Sequence, residues 1–306
     1  MRKPFFSIII PTFNQSSFLK KALKSVSKQT FKSFEVIVID NYSDDDTQRV
    51  VKSFKNVIYK KINNYGVISK SRNLGLKISK GKWVAFLDSD DYWDKNKLRT
   101  IYEETRKKNF DVICHSEWIL NLSSSGKKKI RCYGPFSKNF YKEILLFGNR
   151  NSTSASVVKK KFLDKNKLKF DENRTFITSE DYCFFLHIAN LDGIFLYLSR
   201  PLGYHTFHKG SMSYNYKKHI LSKFAVIKYH IFNIQKFNKK KKNLFNHIKK
   251  IDKIKNSIIS LKKNFIIFNN LKNFFRFLAS EPLLTKKYLS IFLKIYIKQK
   301  FFQFYY

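Results

Sequence analysis

The first hundred residues alternate between continuous apolar runs and segments whose apolar residues recur every three or four positions. The continuous runs, which are typical of strands covered on both faces, are residues 5–10, 34–39 and 83–87, and residues 57–62 are a further short strand. The segments with helical spacing are residues 18–26, 47–54 and 69–79. Because strands and helices alternate along the chain, the sequence predicts a parallel sheet with right-handed crossovers.

Residues 111–214 mix the two patterns. We expect strands over 111–116 and 193–198, with Arg200 and Pro201 ending the second strand. Residues 121–129 have the turn chemistry of a hairpin tip. Apolar residues within 181–190 recur at helical spacing, which predicts one helix in this part of the chain.

From residue 215 onward the pattern becomes helical and strongly basic. Residues 215–306 hold 21 Lys and 1 Arg against Asp252 and Glu281, which leaves a charge of +20. The apolar residues of 284–298 share one helix face beside a stripe of lysines. We therefore expect an α/β domain over 1–214, with halves at about 1–115 and 116–214, followed by a basic helical region over 215–306.

The whole chain of 306 residues has 61 Lys and Arg against 22 Asp and Glu, a formal net charge of +39. Such an excess favours nucleic acid or a membrane surface as a partner. The hydrophobic content of 43% and the aromatic content of 17% exclude a disordered basic tail. Only 10 of the basic residues are Arg, and the abundance of Lys, Asn, Ile and Phe also fits a biased genome. Charge alone does not decide the partner.

The cysteines and the N-terminus bear on the compartment. Cys114, Cys132 and Cys183 are odd in number and widely spaced, which suits neither a disulfide framework nor a zinc cluster. The apolar run after Arg2 and Lys3 is too short for a signal peptide, and no window reaches the length of a membrane-spanning helix. We expect a cytoplasmic protein, either free or peripheral on the inner face of a membrane.

Polar clusters follow three of the predicted strands. They are residues 11–14, residues 40–46 and residues 88–91, and the last two hold seven of the 22 carboxylates. In an open parallel sheet, ligands bind beyond the carboxyl ends of the strands, so the three clusters should lie at one edge. Asp44 to Asp46 are best explained as caps of the following helix.

Asp88 and Asp90 are different, because two carboxylates on alternate residues after a buried strand can reach one hard cation. Mn²⁺ and Mg²⁺ take such ligands and commonly bridge to phosphate oxygens. The D-x-D pattern alone is common by chance, and its place after a strand is what makes it informative.

The chain resembles family 2 of the glycosyltransferases, which has the GT-A nucleotide-sugar-binding fold. The matching segments, in the order and spacing of that family, are SIIIPTFN, KSVSKQTFKSFEVIVIDNYSDDDT and GVISKSRNLGLKISKGKWVAFLDSDDYW. Weaker matches are TSEDYCFFLHIAN over 178–190 and GYHTFHKGSMS over 203–213. The resemblance implies an inverting enzyme that takes a sugar from a nucleoside diphosphate sugar, with 1–115 as the donor half and 116–214 as the acceptor half.

The resemblance also implies residue roles on the donor side. Thr12 and Asn14 would lie beside the nucleotide, with Pro11 shaping the turn. Asp40 and Asn41 would approach the base and ribose, although the family often has Asp at the second of these positions.

In the next two motifs, Arg72 would lie near the base or diphosphate. Asp88 would contact the ribose or sugar and, with Asp90, hold Mn²⁺ or Mg²⁺. Ser89 and Asp91 complete the implied donor site, with Asp91 orienting the sugar.

On the acceptor side, Asp181 matches the general base of the family, with Glu180 as the second choice. His208 matches a histidine that faces the diphosphate or the metal. His187 stands where many members have Arg, which leaves the acceptor uncertain. The implied acceptor is a hydroxyl of a glycan or a lipid-linked glycan in cell-surface polysaccharide synthesis.

Other functions stay open. Transfer to a polyprenyl phosphate would need no base, although the Glu180–Asp181 pair argues for a hydroxyl acceptor. A basic nucleic-acid-binding protein would explain the charge, but no binding motif is recognised and acids would line the sheet edge. A catalytically silent scaffold would not need the intact acidic motifs. The basic region 215–306 either attaches to anionic lipid or packs on the catalytic domain.

Overall fold

The structure, a computed structural model, describes residues 3–122, 129–208 and 210–263. The helix predicted over 284–298 lies outside these residues. The described chain forms two compact units, one made of 3–144 and 149–227 and the other of 145–148 and 228–263. The domain boundary predicted after residue 214 stays a prediction.

The first half of the sheet is parallel, as predicted. Its strands are β1 (Phe6–Thr12), β2 (Phe34–Asp40), β3 (Val57–Lys61) and β4 (Trp83–Phe86), in the order β3-β2-β1-β4. They are joined by α1 (Ser16–Ser27), α2 (Thr47–Lys52) and α3 (Ile68–Ile78). Thr12 lies opposite Asp40 in the register of β1 and β2, so the polar ends of these two strands meet.

The second half of the sheet is mixed. Its elements are β5 (Tyr92–Trp93), α4 (Lys97–Lys107), β6 (Val112–Asn121), β7 (Lys129–Arg131), α5 (Phe140–Phe147), β8 (Ser156–Lys159), α6 (Lys160–Lys165), α7 (Glu180–Asn190) and β9 (Phe195–Phe207). The sheet continues from β4 as β8-β6-β9-β5, and β7 pairs with β6. Strand β8 is antiparallel to both β4 and β6, whereas β9 is parallel to β6.

The prediction that Arg200 and Pro201 end the last strand is wrong. Strand β9 continues to Phe207 because the pairing with β6 shifts register instead of stopping. Leu198 lies opposite His115, but Pro201 lies opposite Ser116. This irregularity absorbs the proline, which cannot donate a ladder hydrogen bond, and it carries the strand on to the edge where the acidic clusters lie.

The core explains why α3 is placed so closely on the sheet. Strand β1 is buried along its whole length, and Ile9 faces α3 at Gly75. A Cβ atom at Gly75 would lie 2.4 Å from Cγ2 of Ile9, which no real contact allows. The glycine therefore permits the helix to approach β1, and this approach brings Arg72, one turn earlier, to the sheet edge.

The helix α8 (Tyr216–Tyr229) begins in the first unit. In the second unit, a π-helical turn (His230–Ile234) is closed by Gln235, whose backbone N–H donates to the carbonyl of His230. The helix α9 (Lys241–Lys263) follows, and Phe245 packs edge-on to Phe232 at 6.3 Å between ring centres. Among the described residues, no helix combines the length and the apolar character needed to cross a bilayer.

Candidate active site

The three polar clusters lie at one edge of the sheet, as predicted. The backbone N–H of Asn41 donates to the carbonyl of Thr12 at 3.0 Å, and that of Asn14 donates to Oγ of Ser43 at 2.9 Å. These bonds join the turns after β1 and β2. The hydroxyl of Thr12 is buried and has no hydrogen-bond partner in the described chain, although its turn faces the edge.

The acidic run after β2 serves helix capping, through Asp45. Its Oδ1 accepts from the N–H of Thr47 at 3.0 Å, and its Oδ2 accepts from the N–H of Ser16 at 2.8 Å. One carboxylate thus caps both α1 and α2. The cap of α1 therefore comes from the loop after β2 and not from α1 itself.

Asp40 is fully buried, and both of its oxygens are taken by protein groups. Oδ1 accepts from the hydroxyl and the N–H of Ser43, and Oδ2 accepts from the hydroxyl of Tyr59 at 2.5 Å. Burial and the Asp40 charge raise the pKa of Tyr59 above its ordinary value. Asp40 therefore fixes the turn that carries Asn41, and its predicted contact with a nucleotide stays a prediction.

Arg72 joins two motifs that are far apart in the sequence. Its Nη2 donates to Oδ1 of Asp88 at 2.8 Å, and its Nη1 donates to Oε1 of Glu180 at 2.7 Å. The guanidinium is almost completely buried and lies 5.2 Å from the centre of the Phe170 ring. Burial disfavours the charged form, but Asp88 and Glu180 outweigh it and raise the pKa of Arg72. Its predicted contact with the base or diphosphate is untested.

Hydrogen bonds to neighbouring segments hold the Asp88–Asp91 loop in position. The N–H of Asp88 donates to Oγ of Ser154, and the hydroxyl of Ser89 donates to Oε1 of Gln15. Asp91 is buried, and its Oδ1 accepts from the N–H of Thr206 at 2.8 Å. In the structure Asp91 thus ties the loop to β9, and its predicted role toward a sugar stays a prediction.

Asp90 and His208 form the pair that a cation would use. Oδ2 of Asp90 lies 3.1 Å from Nε2 of His208, whose ring stacks on Phe18 at 4.6 Å. Burial, and then the charges of Asp91 and Asp88, raise the pKa of Asp90 to about 8. This crowding of carboxylates is what a divalent cation would relieve.

The spacing of the pair also fits one hard ion, because two neighbouring ligands of an octahedral Mg²⁺ lie about 3 Å apart. The N–H of Gly210 donates to Nδ1 of His208 at 3.2 Å, which places the proton of a neutral ring on Nε2.

Glu180 and Asp181 begin α7 but face different partners. Glu180 is buried, with Oε1 on Arg72 and Oε2 accepting from the N–H of Thr178 at 2.9 Å. Asp181 is partly exposed, and its Oδ2 accepts from Nδ2 of Asn149 at 3.0 Å. Burial, followed by the charge of Glu180, raises the pKa of Asp181 to about 7. Of the two carboxylates, Asp181 is the more exposed, whereas Glu180 is buried against Arg72.

A buried ionic network behind the site was not predicted from the sequence. Glu117 accepts from the hydroxyl of Tyr133 at 2.6 Å, and Nδ1 of His205 lies 3.4 Å from Oδ2 of Asp91. Burial lowers the pKa of His205, but Asp91 outweighs it and brings it to about 9. The available signal was Glu117, which comes directly after the strand predicted over 111–116 and lies within the longer β6. This network supports Asp91, and through it the Asp88–Asp91 loop.

Comparison with known proteins decides the family. Residues 7–162 match the family model for glycosyl transferase family 2. The chain belongs to glycosyl transferase family 2. The matched residues include Arg72 and the Asp88–Asp91 loop.

Two relatives of this family 2 glycosyltransferase have described activities. The poly(ribitol-phosphate) beta-N-acetylglucosaminyltransferase TarP of Staphylococcus aureus is 36% identical over 188 residues, which cover 58% of this chain. The chain spans about half of TarP, since the match covers 55% of it. The UDP-Glc:alpha-D-GlcNAc-diphosphoundecaprenol beta-1,3-glucosyltransferase WfaP of Escherichia coli is 30% identical over 230 residues, covering 72% of this chain and 85% of WfaP.

The fold is also that of solved family structures. The crystal structure of S. aureus TarS 1–349 in complex with UDP superposes with a TM-score of 0.57 and 25% identity. The superposition covers 78% of this chain and 69% of TarS 1–349. The expected GT-A fold, a mixed α/β sheet with flanking helices, is confirmed.

Proposed function

We propose that this family 2 chain transfers a sugar from a nucleoside diphosphate sugar to a hydroxyl of a glycan or lipid-linked glycan, with inversion at the anomeric carbon. The relatives support the donor class, since WfaP is a UDP-glucose-dependent enzyme and the crystal structure of TarS 1–349 contains UDP. The lipid-linked acceptor of WfaP and the polymer acceptor of TarP support the acceptor class.

The observation that carries the proposal is the state of Asp181. A carboxylate with a pKa of about 7 is half ionised near neutral pH and is basic enough to take a proton from an attacking hydroxyl. Asn149 holds one oxygen of Asp181 in a fixed orientation. Base catalysis of this kind supplies about 10²–10⁴-fold in rate.

The donor would occupy the edge formed by the turns after β1 and β2. Thr12, Asn14 and Asn41 supply polar groups there, and the unpartnered hydroxyl of Thr12 would gain a partner from a bound nucleotide. Asp40 and Arg72 act from behind this surface, because both are buried and paired with protein groups. They shape the donor site without needing to touch the donor.

Asp90 and His208 would hold Mn²⁺ or Mg²⁺, with Asp88 as the neighbouring carboxylate. When bound there, the ion would neutralise the charge that develops on the departing diphosphate. Asp91 and Ser89 keep the loop in place through Thr206 and Gln15, and Arg72 holds one oxygen of Asp88 in a fixed position.

The test is a screen of nucleoside diphosphate sugars for Mn²⁺-dependent binding and slow hydrolysis, followed by the variant Asp181→Asn. We expect Asp181→Asn to reduce transfer at least about 10²-fold while donor affinity is kept. Asp192→Asn, at the far end of α7, is the matched control and should transfer normally.

Failure to bind any nucleotide sugar would refute the donor class. Normal turnover by Asp181→Asn would refute the base and would favour the polyprenyl-phosphate alternative, whose acceptor is already ionised.

A further inference from the structure

The segment 212–221, at the start of α8, exposes more apolar surface than a solvated helix end requires. Met212 is 45% exposed, Tyr214 51%, Tyr216 64% and Leu221 64%. All four side chains are large, and they lie in one stretch of ten residues that belongs to the first unit. Scattered exposed apolar residues are normal, but a concentration of this kind marks an interaction surface.

The same segment is fixed at both ends to the candidate site. Just before it, His208 contacts Asp90, and the ring of Phe207 lies 5.8 Å from that of Tyr214. Within α8, Nδ1 of His219 donates to the carbonyl of Thr178 at 2.9 Å, in the loop that leads to Glu180. The exposed segment therefore lies between the donor-side loop and the acceptor-side loop.

The charge of the segment is entirely positive. Lys217 and Lys218 are exposed, and Asn215 caps α8 by accepting from the N–H of Lys218 at 3.0 Å. No Asp or Glu occurs between Asp192 and Asp252, a stretch with 13 Lys and Arg. The positive end of the helix dipole adds to these charges.

We propose that residues 212–221 dock the protein on an anionic bilayer surface and so present a lipid-linked acceptor to Asp181. Exposed Tyr, Met and Leu insert at the boundary between headgroups and acyl chains, while the adjacent lysines attract anionic headgroups. A soluble polyanion would use the lysines but would gain nothing from four exposed apolar side chains. The proposal rests on the proposed transferase function, because it assigns the acceptor to a membrane.

The test uses the full chain and vesicles of phosphatidylcholine with or without phosphatidylglycerol. We expect binding only to the anionic vesicles, and binding that weakens with salt. The double variant Tyr216→Ser/Leu221→Ser should lower vesicle affinity about tenfold, and Lys217→Gln/Lys218→Gln should lower it by roughly tenfold or more. The matched control is Leu191→Ser/Ile194→Ser, which removes two exposed aliphatic side chains beyond the far end of α7 and should bind vesicles like the unmodified chain.

Nucleotide-sugar binding, measured in the same variants without lipid, separates the two proposals, because all of them should bind the donor normally. Loss of donor binding in the unmodified chain counts against the transferase, whatever the vesicle result. Unchanged vesicle affinity in both docking variants overturns the docking surface. So does a result in which only the lysine variant loses affinity and soluble polyphosphate competes fully, because the segment would then be a polyanion site.

Discussion

Arg72 is the residue on which both acidic motifs depend. Its two terminal nitrogens bind Asp88 and Glu180, which are 92 residues apart in the sequence. Removing a buried partner of this kind leaves carboxylates without compensation and costs about 3–5 kcal/mol. Arg72 therefore stabilises the fold independently of any contact with a nucleotide.

Arg72 also affects the pH range in which Asp181, the proposed base, is ionised. Asp181 must be ionised to accept a proton, so activity should rise with pH and level off above about 7, where its pKa lies. The Arg72 charge lowers this pKa. Replacing Arg72 by Met should therefore move the acid limb of kcat/KM to higher pH, whereas Arg72→Lys, which keeps the charge, should leave it near its original position.

This prediction is checked by pH profiles of the unmodified chain and both variants, recorded at temperatures where circular dichroism shows each to be folded. An acid limb near pH 4 in the unmodified chain would contradict the raised pKa of Asp181. An identical limb in Arg72→Met would show that Arg72 does not act on the base.

Thr178 stores backbone strain close to Asp181, the proposed base. Its φ is +84°, a region that β-branched residues rarely adopt. Its N–H and carbonyl are held by Glu180 and His219. Strain of this kind costs about 1–3 kcal/mol and persists where the surrounding contacts enforce it.

Thr178→Gly should therefore raise the free energy of unfolding by about 1 kcal/mol, while the looser loop lowers kcat. Lys167, with φ of +49° in the turn after α6, offers the matched control. Lys167→Gly should stabilise the protein to a similar degree and leave kcat unchanged. Chemical denaturation and steady-state kinetics on the two variants test this, and equal kcat values in both would remove any functional role for the strain.

At the scale of elements, the parallel half of the sheet could be predicted and most of the mixed half could not. Strands β1, β2 and β4 are largely buried on both faces, so each leaves a nearly continuous apolar run in the sequence, whereas the edge strand β3 is only partly buried. Strand β5 has only two residues, and β8 has only two consecutive apolar residues between Ser156 and Lys159, so neither leaves a clear apolar run. Strand β9 passes through Pro201 because its pairing with β6 is irregular, and such a tertiary accommodation has no local signature.

Part of the candidate site could likewise be predicted from the sequence, and part could not. The polar clusters after β1, β2 and β4 could be placed at one edge because parallel strands end on the same side. The pairing of Arg72 with Glu180 could not be predicted, since it depends on how α3 and α7 meet in space. The burial of Asp91 against Thr206 depends on the unexpected length of β9.

Asp45 makes a prediction about elements, because its carboxylate caps the first turns of both α1 and α2. A lost cap costs about 1 kcal/mol, so Asp45→Ala should lower the free energy of unfolding by roughly 2 kcal/mol. Asp44→Ala removes the neighbouring exposed carboxylate and should change it by less than about 0.5 kcal/mol. Urea denaturation of both variants measures the difference. Equal stabilities would show that solvent replaces the double cap without loss.

At the scale of the whole molecule, the net charge of +39 coexists with a sheet edge rich in carboxylates. Region 215–306 carries +20 of this charge, and its residues 264–306 lie outside the described structure. A nucleic-acid partner would have to meet the basic surface away from the acidic edge. Such binding would be non-specific, and it should fall by about 10³–10⁵-fold between 50 and 200 mM salt.

The same charge should act on the donor through its rate of arrival. A nucleoside diphosphate sugar is an anion, so the positive field of the protein attracts it, and salt screens that attraction beyond about 10 Å at 0.1 M. We expect the association rate constant, measured by stopped-flow with Mn²⁺ present, to fall about tenfold between 50 and 500 mM salt. The dissociation rate constant should change little, because it would reflect the short contacts proposed at Thr12, Asn14 and the Asp90–His208 pair rather than the long-range field. The matching uncharged nucleoside is the control, since its association should not respond to salt. If salt leaves the association rate constant of the charged donor equally unchanged, the acidic edge cancels the positive field of the basic surface. The excess of lysine would then play no part in attracting the donor.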